Sequence, residues 1–217
     1  MLLMRVKICG LMRPSDVDFA ATQGADAIGF VVGTPISRRN LQLDKAKQLV
    51  KRVPIFTASV AVTAAADLKS LQRITKRLRT DALQLHRSNL QIIKAIRKAN
   101  PELSIITAVP IRNMESISAA ESSSKFSDAI MAETPSEVGI GGTGRTHDWT
   151  LTSLLRTRIH PHPLILAGGL TSSNVRDAIQ LVKPYGVDVS SGVENKAGVK
   201  DHRKMKEFIQ MAKEAKY

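Results

Sequence analysis

The chain has 217 residues, of which 43% are hydrophobic and only 4% aromatic, which allows one large core of aliphatic side chains and disfavours a surface built for base stacking. A single cysteine excludes an internal disulfide, and no apolar run approaches the ~20 residues that span a membrane, so we expect a soluble, cytoplasmic protein. Lysine and arginine outnumber the acids by 32 to 19, a net charge of +13, which suits either nucleic acid or a basic surface that attracts anionic substrates.

Short β-branched runs alternate with amphipathic stretches along the chain. The runs predict strands at 6–9, 27–32, 56–62, 81–85, 104–109, 128–132, 164–167 and 186–190. The stretches between them predict helices at 15–23, 44–52, 66–77, 90–99, 114–122, 149–156, 173–181 and 201–215. Ser15 and Asp44 are the expected N-caps of the first two helices, and Gly24 is the expected C′ residue of the first.

The alternation of strands and helices predicts a parallel sheet. Eight repeats without a break in composition favour a closed (βα)8 TIM barrel, with residues 1–217 as a single catalytic domain. A doubly wound open sheet is the alternative, but such a sheet has no reason to stop at eight strands. The barrel places the functional site where the strands end and the βα loops begin.

Two consecutive loops are rich in glycine and serine. Gly168 and Gly169 follow the seventh predicted strand, and Ser190, Ser191 and Gly192 end the eighth. Glycines alone would be explained by tight turns. Because both loops come after strands 7 and 8, where barrels commonly bind phosphate through backbone amides, we favour a phosphate site.

Cys9 and Glu133 each end a predicted strand and each has two interpretations. A lone cysteine is usually a small buried hydrophobe, but Cys9, close to Lys7, could be an exposed and partly activated thiolate that acts as a base. Glu133 is either a solvated loop carboxylate or a half-buried general acid whose pKa burial raises. His86 could be a satisfied strand-end histidine, and Arg39 part of the basic surface.

Six motifs together resemble the phosphoribosylanthranilate isomerase family, in the right order and over essentially the whole chain. They are Lys7-Ile8-Cys9-Gly10, Gly24-Ala25-Asp26-Ala27-Ile28-Gly29-Phe30, Gln84-Leu85-His86, Gly141-Gly142-Thr143-Gly144 with Asp148-Trp149, Ala167-Gly168-Gly169-Leu170 and Val187-Asp188-Val189-Ser190-Ser191-Gly192-Val193-Glu194. The first and last are specific in combination, whereas the glycine pair alone fits many phosphate-binding barrels.

The resemblance implies a role for each candidate residue. Cys9 would be the general base and Glu133 the general acid, Arg39 would hold the anthranilate carboxylate, and His86 and Asp188 would line the substrate pocket. The phosphate would be bound by the two loops already named. The implied reaction is the Amadori rearrangement of N-(5-phosphoribosyl)anthranilate in tryptophan biosynthesis, which needs no cofactor and no metal.

Several positions depart from the family pattern. The sixth strand ends Met131-Ala132-Glu133 where the family usually has Leu-Leu-Asp, so the expected acid is longer by one methylene. Arg87 stands where a glycine is usual and Thr107 where a lysine is common. The third strand, 58–62, also lacks the usual Val-Gly-Val-Phe.

Two other functions stay open at this stage. A different phosphosugar barrel, such as a histidine-pathway isomerase or an indole-forming lyase subunit, would share the fold and the phosphate site, but would carry paired aspartates or a lysine–glutamate set in place of Cys9. A basic barrel without activity could bind nucleic acid or a protein partner. Because the basic residues are spread over predicted helix faces, we expect no nucleic-acid partner. The expected partner is a small phosphosugar substrate and not a membrane, and the protein is expected to be a monomer or a homodimer.

Overall fold

The computed structural model describes residues 4–135 and 146–215. Over this range the barrel strands are β1 Arg5–Cys9, β2 Ala27–Val31, β3 Ala58–Thr63, β4 Ala82–Leu85, β5 Ser104–Pro110, β6 Ala129–Glu133, β7 Leu164–Leu166 and β8 Gly186–Val189. The helices are α1 Pro14–Thr22, α2 Leu43–Val50, α3 Leu68–Leu78, α4 Leu90–Ala99, α5 Met114–Ser124, α6 Trp149–Ile159, α7 Val175–Val182 and α8 His202–Glu214. A 3-10 turn, Ser191–Val193, and a short hairpin, β9 Glu194–Lys196 with β10 Val199–Lys200, follow the last barrel strand.

The eight strands close into one parallel barrel, so the TIM-barrel prediction is confirmed and the open sheet is excluded. Closure comes from β1, which pairs with β2 on one side and with β8 on the other. The register sets Cys9 beside Gly29 and Lys7 beside Asp188. The first and last motifs of the chain are therefore neighbours in space.

The core has two layers, because successive side chains of a strand point to opposite faces. A large aliphatic cluster that includes Ile8, Phe30 and Phe208 fills the space between the strands and the ring of helices. A smaller cluster, mostly of alanine and valine but including Cys9 and Met131, fills the barrel interior. This inner layer leaves room for polar side chains near the ends of the strands.

The N-cap predictions for the first two helices are wrong. The cap of α1 is Arg13, followed by Pro14 at the first helical position, and the cap of α2 is Gln42; neither uses a side-chain hydrogen bond. Ser15 therefore lies within the first turn of α1, because proline's fixed φ starts the helix one residue earlier. Asp44 lies in the first turn of α2 and pairs with Arg77 of α3. Gly24 follows α1 with a φ of +89°, as predicted.

Three aspartates tie strands together at the N-terminal end of the barrel. Each stands just before an even-numbered strand and accepts a hydrogen bond from a backbone amide of the preceding strand. These aspartate clamps are Val6 N to Asp26 Oδ2 at 2.8 Å, Ser59 N to Asp81 Oδ2 at 2.7 Å and Ile105 N to Asp128 Oδ2 at 2.7 Å. The clamps lie at the end of the barrel that is remote from the βα loops.

Among the helices of residues 4–135 and 146–215, none is both long enough and apolar enough to cross a membrane. The Gly141-Gly142-Thr143-Gly144 motif lies outside the described residues.

Candidate active site

One pocket at the C-terminal end of the barrel brings together every residue that the sequence analysis selected for catalysis or binding. Those residues are Cys9, Arg39, His86, Glu133, Gly168, Gly169, Asp188, Ser190, Ser191 and Gly192. The pocket is also lined by residues to which the sequence analysis gave no role, notably Gln84 and Thr134. The two loops predicted to bind phosphate form one part of its wall.

Cys9 ends β1 inside the barrel, with only 7% of its surface exposed. The expectation of an exposed thiol is therefore wrong, although the residue does line the pocket. Gly29 on the adjacent strand makes room for the sulfur, since a Cβ built at Gly29 would lie 2.9 Å from Cys9 Sγ. Burial raises the pKa of the Cys9 thiol, and the nearby Lys7 ammonium opposes that rise.

Lys7 and Asp188 form a buried ion pair beside Cys9. Lys7 Nζ donates to Asp188 Oδ1 at 2.6 Å, and both side chains are almost fully enclosed. Burial alone would lower the pKa of Lys7, but the negative groups of Asp188 and Cys9 raise it above its usual value. The ammonium is therefore held in its charged form, where it stabilises negative charge on the sulfur.

Glu133 ends β6 and contacts His86, which follows β4. His86 Nδ1 lies 3.2 Å from Glu133 Oε1, and its other ring nitrogen, Nε2, lies 2.7 Å from Gln84 Nε2. The histidine is buried and the glutamate half-buried at the pocket wall. Sequence reasoning recorded Gln84 only as part of a motif and missed its contact with His86.

Arg39 makes a double hydrogen bond to Glu194. Arg39 Nε and Nη2 donate to the two carboxylate oxygens at 2.7 Å each, and Lys200 Nζ donates to Glu194 Oε1 at 2.8 Å. Burial would raise the pKa of Glu194, but hydrogen bonds from Arg39 and Lys200 bring it below its usual value. Glu194 was missed as a functional residue, and its charge at the end of the last motif was the only sequence signal.

The geometry of the glycine loops requires glycine at two places. Gly168 has a φ of +89°, and a Cβ there would lie 2.4 Å from the backbone nitrogen of Thr134. A Cβ at Gly192 would lie 1.9 Å from the carbonyl oxygen of Leu170. Both loops therefore pack backbone against backbone, which brings their amides close together.

Three backbone amides of these loops line the pocket. Among the described residues, no turn or loop hydrogen bond uses the backbone N–H of Gly169, Ser191 or Gly192. The Ser190 hydroxyl is different, because it donates to the carbonyl oxygen of Cys9 at 3.1 Å. With its single proton in use there, Ser190 would contribute to anion binding through its backbone and not its side chain.

His147 supports the start of the loop after β6. Its Nδ1 lies 3.1 Å from Thr134 Oγ1, and its Nε2 lies 2.6 Å from Thr152 Oγ1. Burial lowers the pKa of His147 to about 4, against smaller opposing effects of Asp148 and Glu133. The ring is therefore neutral at pH 7 and fixes Thr134, the residue directly after Glu133.

The arrangement suits acid–base chemistry on an anionic substrate. A thiol and a carboxyl group, on strands separated by β7 and β8, line the same pocket. No group of three or more metal-ligating side chains occurs among residues 4–135 and 146–215.

A family model for N-(5'-phosphoribosyl)anthranilate (PRA) isomerase matches residues 6–211. The chain belongs to this family. It is accordingly an isomerase of tryptophan biosynthesis, and the resemblance drawn from the six motifs is confirmed.

Relatives and solved structures agree with the assignment. The N-(5'-phosphoribosyl)anthranilate isomerase of Methanothrix thermoacetophila is 46% identical over 208 residues, which are 95% of this chain and 97% of the relative. The crystal structure of the Thermotoga maritima isomerase has a TM-score of 0.86 at 34% identity and covers 97% of this chain and 99% of its own. A phosphoribosylanthranilate isomerase in complex with reduced 1-(o-carboxyphenylamino)-1-deoxyribulose 5-phosphate has a TM-score of 0.83 at 33% identity, with the same coverage.

The structure accounts for two departures from the isomerase pattern. Arg87 has a φ of +54°, so the backbone keeps the left-handed conformation for which the family's glycine is suited. Thr107 faces away from the pocket and its hydroxyl lies 2.6 Å from the hydroxyl of Ser127, both buried.

Proposed function

We propose that this isomerase converts N-(5'-phosphoribosyl)anthranilate into 1-(2-carboxyphenylamino)-1-deoxyribulose 5-phosphate, with Glu133 as general acid and Cys9 as general base. The observation that carries the proposal is the shared pocket, in which a thiol beside an ammonium and a carboxyl beside a histidine flank two amide-rich loops. Residues 1–217 would act as one catalytic domain, in the cytoplasm where amino-acid biosynthesis takes place.

The first step opens the ribose ring. Glu133 donates its proton to the ring oxygen, the bond from that oxygen to C1 breaks, and the nitrogen lone pair forms a C1=N iminium. The ring oxygen leaves as the C4 hydroxyl. His86, 3.2 Å from Glu133 Oε1, stabilises the carboxylate that this transfer produces.

The second step moves a proton from carbon. The Cys9 thiolate removes the proton from C2, and the electron pair of that bond neutralises the iminium to give an enolamine. Protonation of C1 and loss of the proton on the C2 oxygen then give the ketone, so the reaction is redox-neutral overall. The Lys7 ammonium next to Cys9 favours the thiolate that starts this step.

The two anionic ends of the substrate would be held separately. The backbone amides of Gly169, Ser191 and Gly192 would bind the phosphate. Arg39 uses Nε and Nη2 for Glu194, which leaves Nη1 for the anthranilate carboxylate. Holding both ends places the reacting carbons between acid and base, an orientation effect worth up to about 7–11 kcal/mol.

An assay that follows anthranilate fluorescence with the phosphoribosyl substrate tests the proposal. Glu133→Gln should reduce kcat at least about a hundredfold, because an amide cannot donate the proton, whereas Glu133→Asp should remain active. Asp128→Asn is the matched control, since Asp128 stands at the opposite end of the same strand and serves as a clamp.

Two outcomes would contradict the proposal. If Glu133→Gln is fully active and Asp128→Asn is inactive, the acid has been assigned to the wrong carboxylate. If the unmodified protein does not isomerise the substrate, the function itself is wrong.

We also propose that the protein forms a homodimer. Ile55 and Phe56, in the connection between α2 and β3, are 92% and 96% exposed, so two adjacent large apolar side chains would be stabilised by a covering partner. A similar structure, with a TM-score of 0.84 at 33% identity, is described as mutually generated monomers of the dimeric isomerase of Thermotoga maritima.

A further inference from the structure

Gln84 is the only amide side chain in the contact network around Glu133 within the described residues. It lies on β4 with 1% of its surface exposed. Its Nε2 is 2.7 Å from His86 Nε2 and 3.3 Å from Met131 Sδ. Its Oε1 is buried and has no hydrogen-bond partner among the described residues.

The direction of the Gln84 amide follows from counting donors and acceptors. In the observed orientation both amide protons have acceptors, His86 Nε2 and the Met131 sulfur, and one carbonyl oxygen is unsatisfied. Rotating the amide by 180° would turn both amide protons away from these acceptors, set the oxygen against the Met131 sulfur and leave that oxygen one possible donor, His86 Nε2. Counted over these two neighbours, the observed orientation makes more hydrogen bonds.

The amide orientation fixes the tautomer of His86. Because Gln84 donates to Nε2, that nitrogen presents its lone pair, and the ring proton of neutral His86 is on Nδ1. Nδ1 faces Glu133 Oε1 at 3.2 Å, so the imidazole donates to the glutamate.

We propose that Gln84 is a positioning residue that holds His86 in the Nδ1–H tautomer and thereby determines which oxygen of Glu133 carries the acid proton. With Oε1 committed to accepting from His86, the proton resides on Oε2, the oxygen free to meet the substrate. After the proton is transferred, the His86 N–H remains in place to stabilise the carboxylate. The inference rests on the proposed role of Glu133 as the acid.

A proton on Nε2 would point at the Gln84 N–H, and two donors facing each other at 2.7 Å repel. In this geometry His86 meets Glu133 as a hydrogen-bond donor.

Nuclear magnetic resonance on protein labelled with 15N in its histidine rings reads the tautomer directly. The chain has five histidines, and the signals of His86 are those that disappear in His86→Asn. At pH 7 we expect His86 to show a protonated Nδ1 and an unprotonated Nε2. A signal from protonated Nε2, alone or together with protonated Nδ1, would overturn the proposal.

Two variants link the tautomer to catalysis. Gln84→Glu replaces the donor by an acceptor of the same shape, so His86 should become protonated at Nε2 and kcat should fall about tenfold to a hundredfold with KM little changed. Gln84→Met, the control, removes donor and acceptor alike while keeping the side-chain length, and should shift the tautomer and kcat less. An unfolding midpoint for each variant separates these effects from loss of structure.

The outcomes also separate this proposal from the role of Glu133. If Glu133→Gln is active while wild-type His86 is the Nδ1–H tautomer, the acid assignment fails and the tautomer assignment stands. If Gln84→Glu leaves both the tautomer and kcat unchanged, the proposal for Gln84 is wrong.

Discussion

At the scale of single residues, two opposing effects act on the pKa of the Cys9 thiol. Burial raises the pKa of its thiol, while Lys7, held charged by Asp188, works in the other direction without cancelling the rise. A buried thiol next to a fixed ammonium can form a thiolate that is shielded from water. Because this thiolate is not hydrated, it can remove the proton from C2 without first losing bound water.

This environment predicts both a mutational effect and a pH dependence. Cys9→Ser should lower kcat by at least about a hundredfold with KM nearly unchanged, because a serine hydroxyl is too weakly acidic to replace the thiol. Since the pKa of Cys9 is raised, the fraction of its thiolate should increase with pH and still be increasing at about pH 8.5, the ordinary value for cysteine. Steady-state kinetics at about 25 °C would measure the first effect, and the ultraviolet absorbance of the thiolate between about pH 6 and 9, taken as wild type minus Cys9→Ser, the second.

Wild-type kcat in Cys9→Ser would remove the thiol from the mechanism. Ala167→Ser is a useful companion variant, because it adds a hydroxyl to the same pocket and keeps Cys9.

The sequence was sufficient to predict which residues line the site, but not which hydrogen bonds those residues make with one another. Strand ends and loop glycines placed Cys9, Glu133 and the phosphate loops at one end of a barrel. The sequence does not show the hydrogen bond between Gln84 and His86, because it depends on the directions of both side chains. It does not show the bonds between Arg39 and Glu194 either, because these residues are 155 positions apart in the chain. No local pattern in a single sequence records such contacts.

At the scale of elements, helix and strand types were predicted well and their ends less so. Proline at position 14 starts α1 before Ser15, and Asp44 lies within α2 and pairs with Arg77. A cap contributes about 1 kcal/mol to a helix, so a good capping side chain does not decide by itself where a helix starts.

The aspartate clamps should contribute to stability and not to catalysis. In Asp81→Ala the amide and the hydroxyl of Ser59 both lose their acceptor, and we expect a loss of about 1–3 kcal/mol in the free energy of unfolding with kcat unchanged. Asp81→Asn, which keeps an oxygen acceptor, should lose less. Urea denaturation followed by tryptophan fluorescence gives the first quantity and the isomerase assay the second.

A fall in kcat with unchanged unfolding free energy would show that this end of the barrel communicates with the site. Asp67→Ala serves as the reference variant, since Asp67 caps α3 through Ser70 and makes no strand contact.

At the scale of the whole molecule, the net charge of +13 fits an enzyme whose substrate carries two anionic ends. Much of the excess lies on helix surfaces, for example Lys47, Lys51, Lys76 and Arg79, which line a groove between α2 and α3. These groups are remote from the pocket, so their effect on catalysis would be through long-range attraction and would weaken with salt.

Self-association is testable through the exposed pair. Phe56→Lys should convert a homodimer into monomers, because burying a lysine in an apolar contact costs several kcal/mol, and should leave the pocket intact. Sedimentation equilibrium on the wild type and the variant measures the change. A monomeric wild type at high protein concentration would refute the homodimer, and an exposed control such as Lys98→Glu should leave the mass unchanged.

The aspartate clamps also group strands into pairs, although the backbone hydrogen bonds join all eight strands into one closed sheet. Each one joins an odd strand to the even strand that follows, so β1 with β2, β3 with β4 and β5 with β6 are cross-linked pairs. A break in the chain at residues 100–103, between α4 and β5, would leave all three links whole, whereas a break at residues 79–80 would separate Asp81 from Ser59. Six of the eight barrel strands are thus held in cross-linked pairs, and we expect duplication, exchange or circular permutation of the gene to be tolerated best at the boundaries between these pairs.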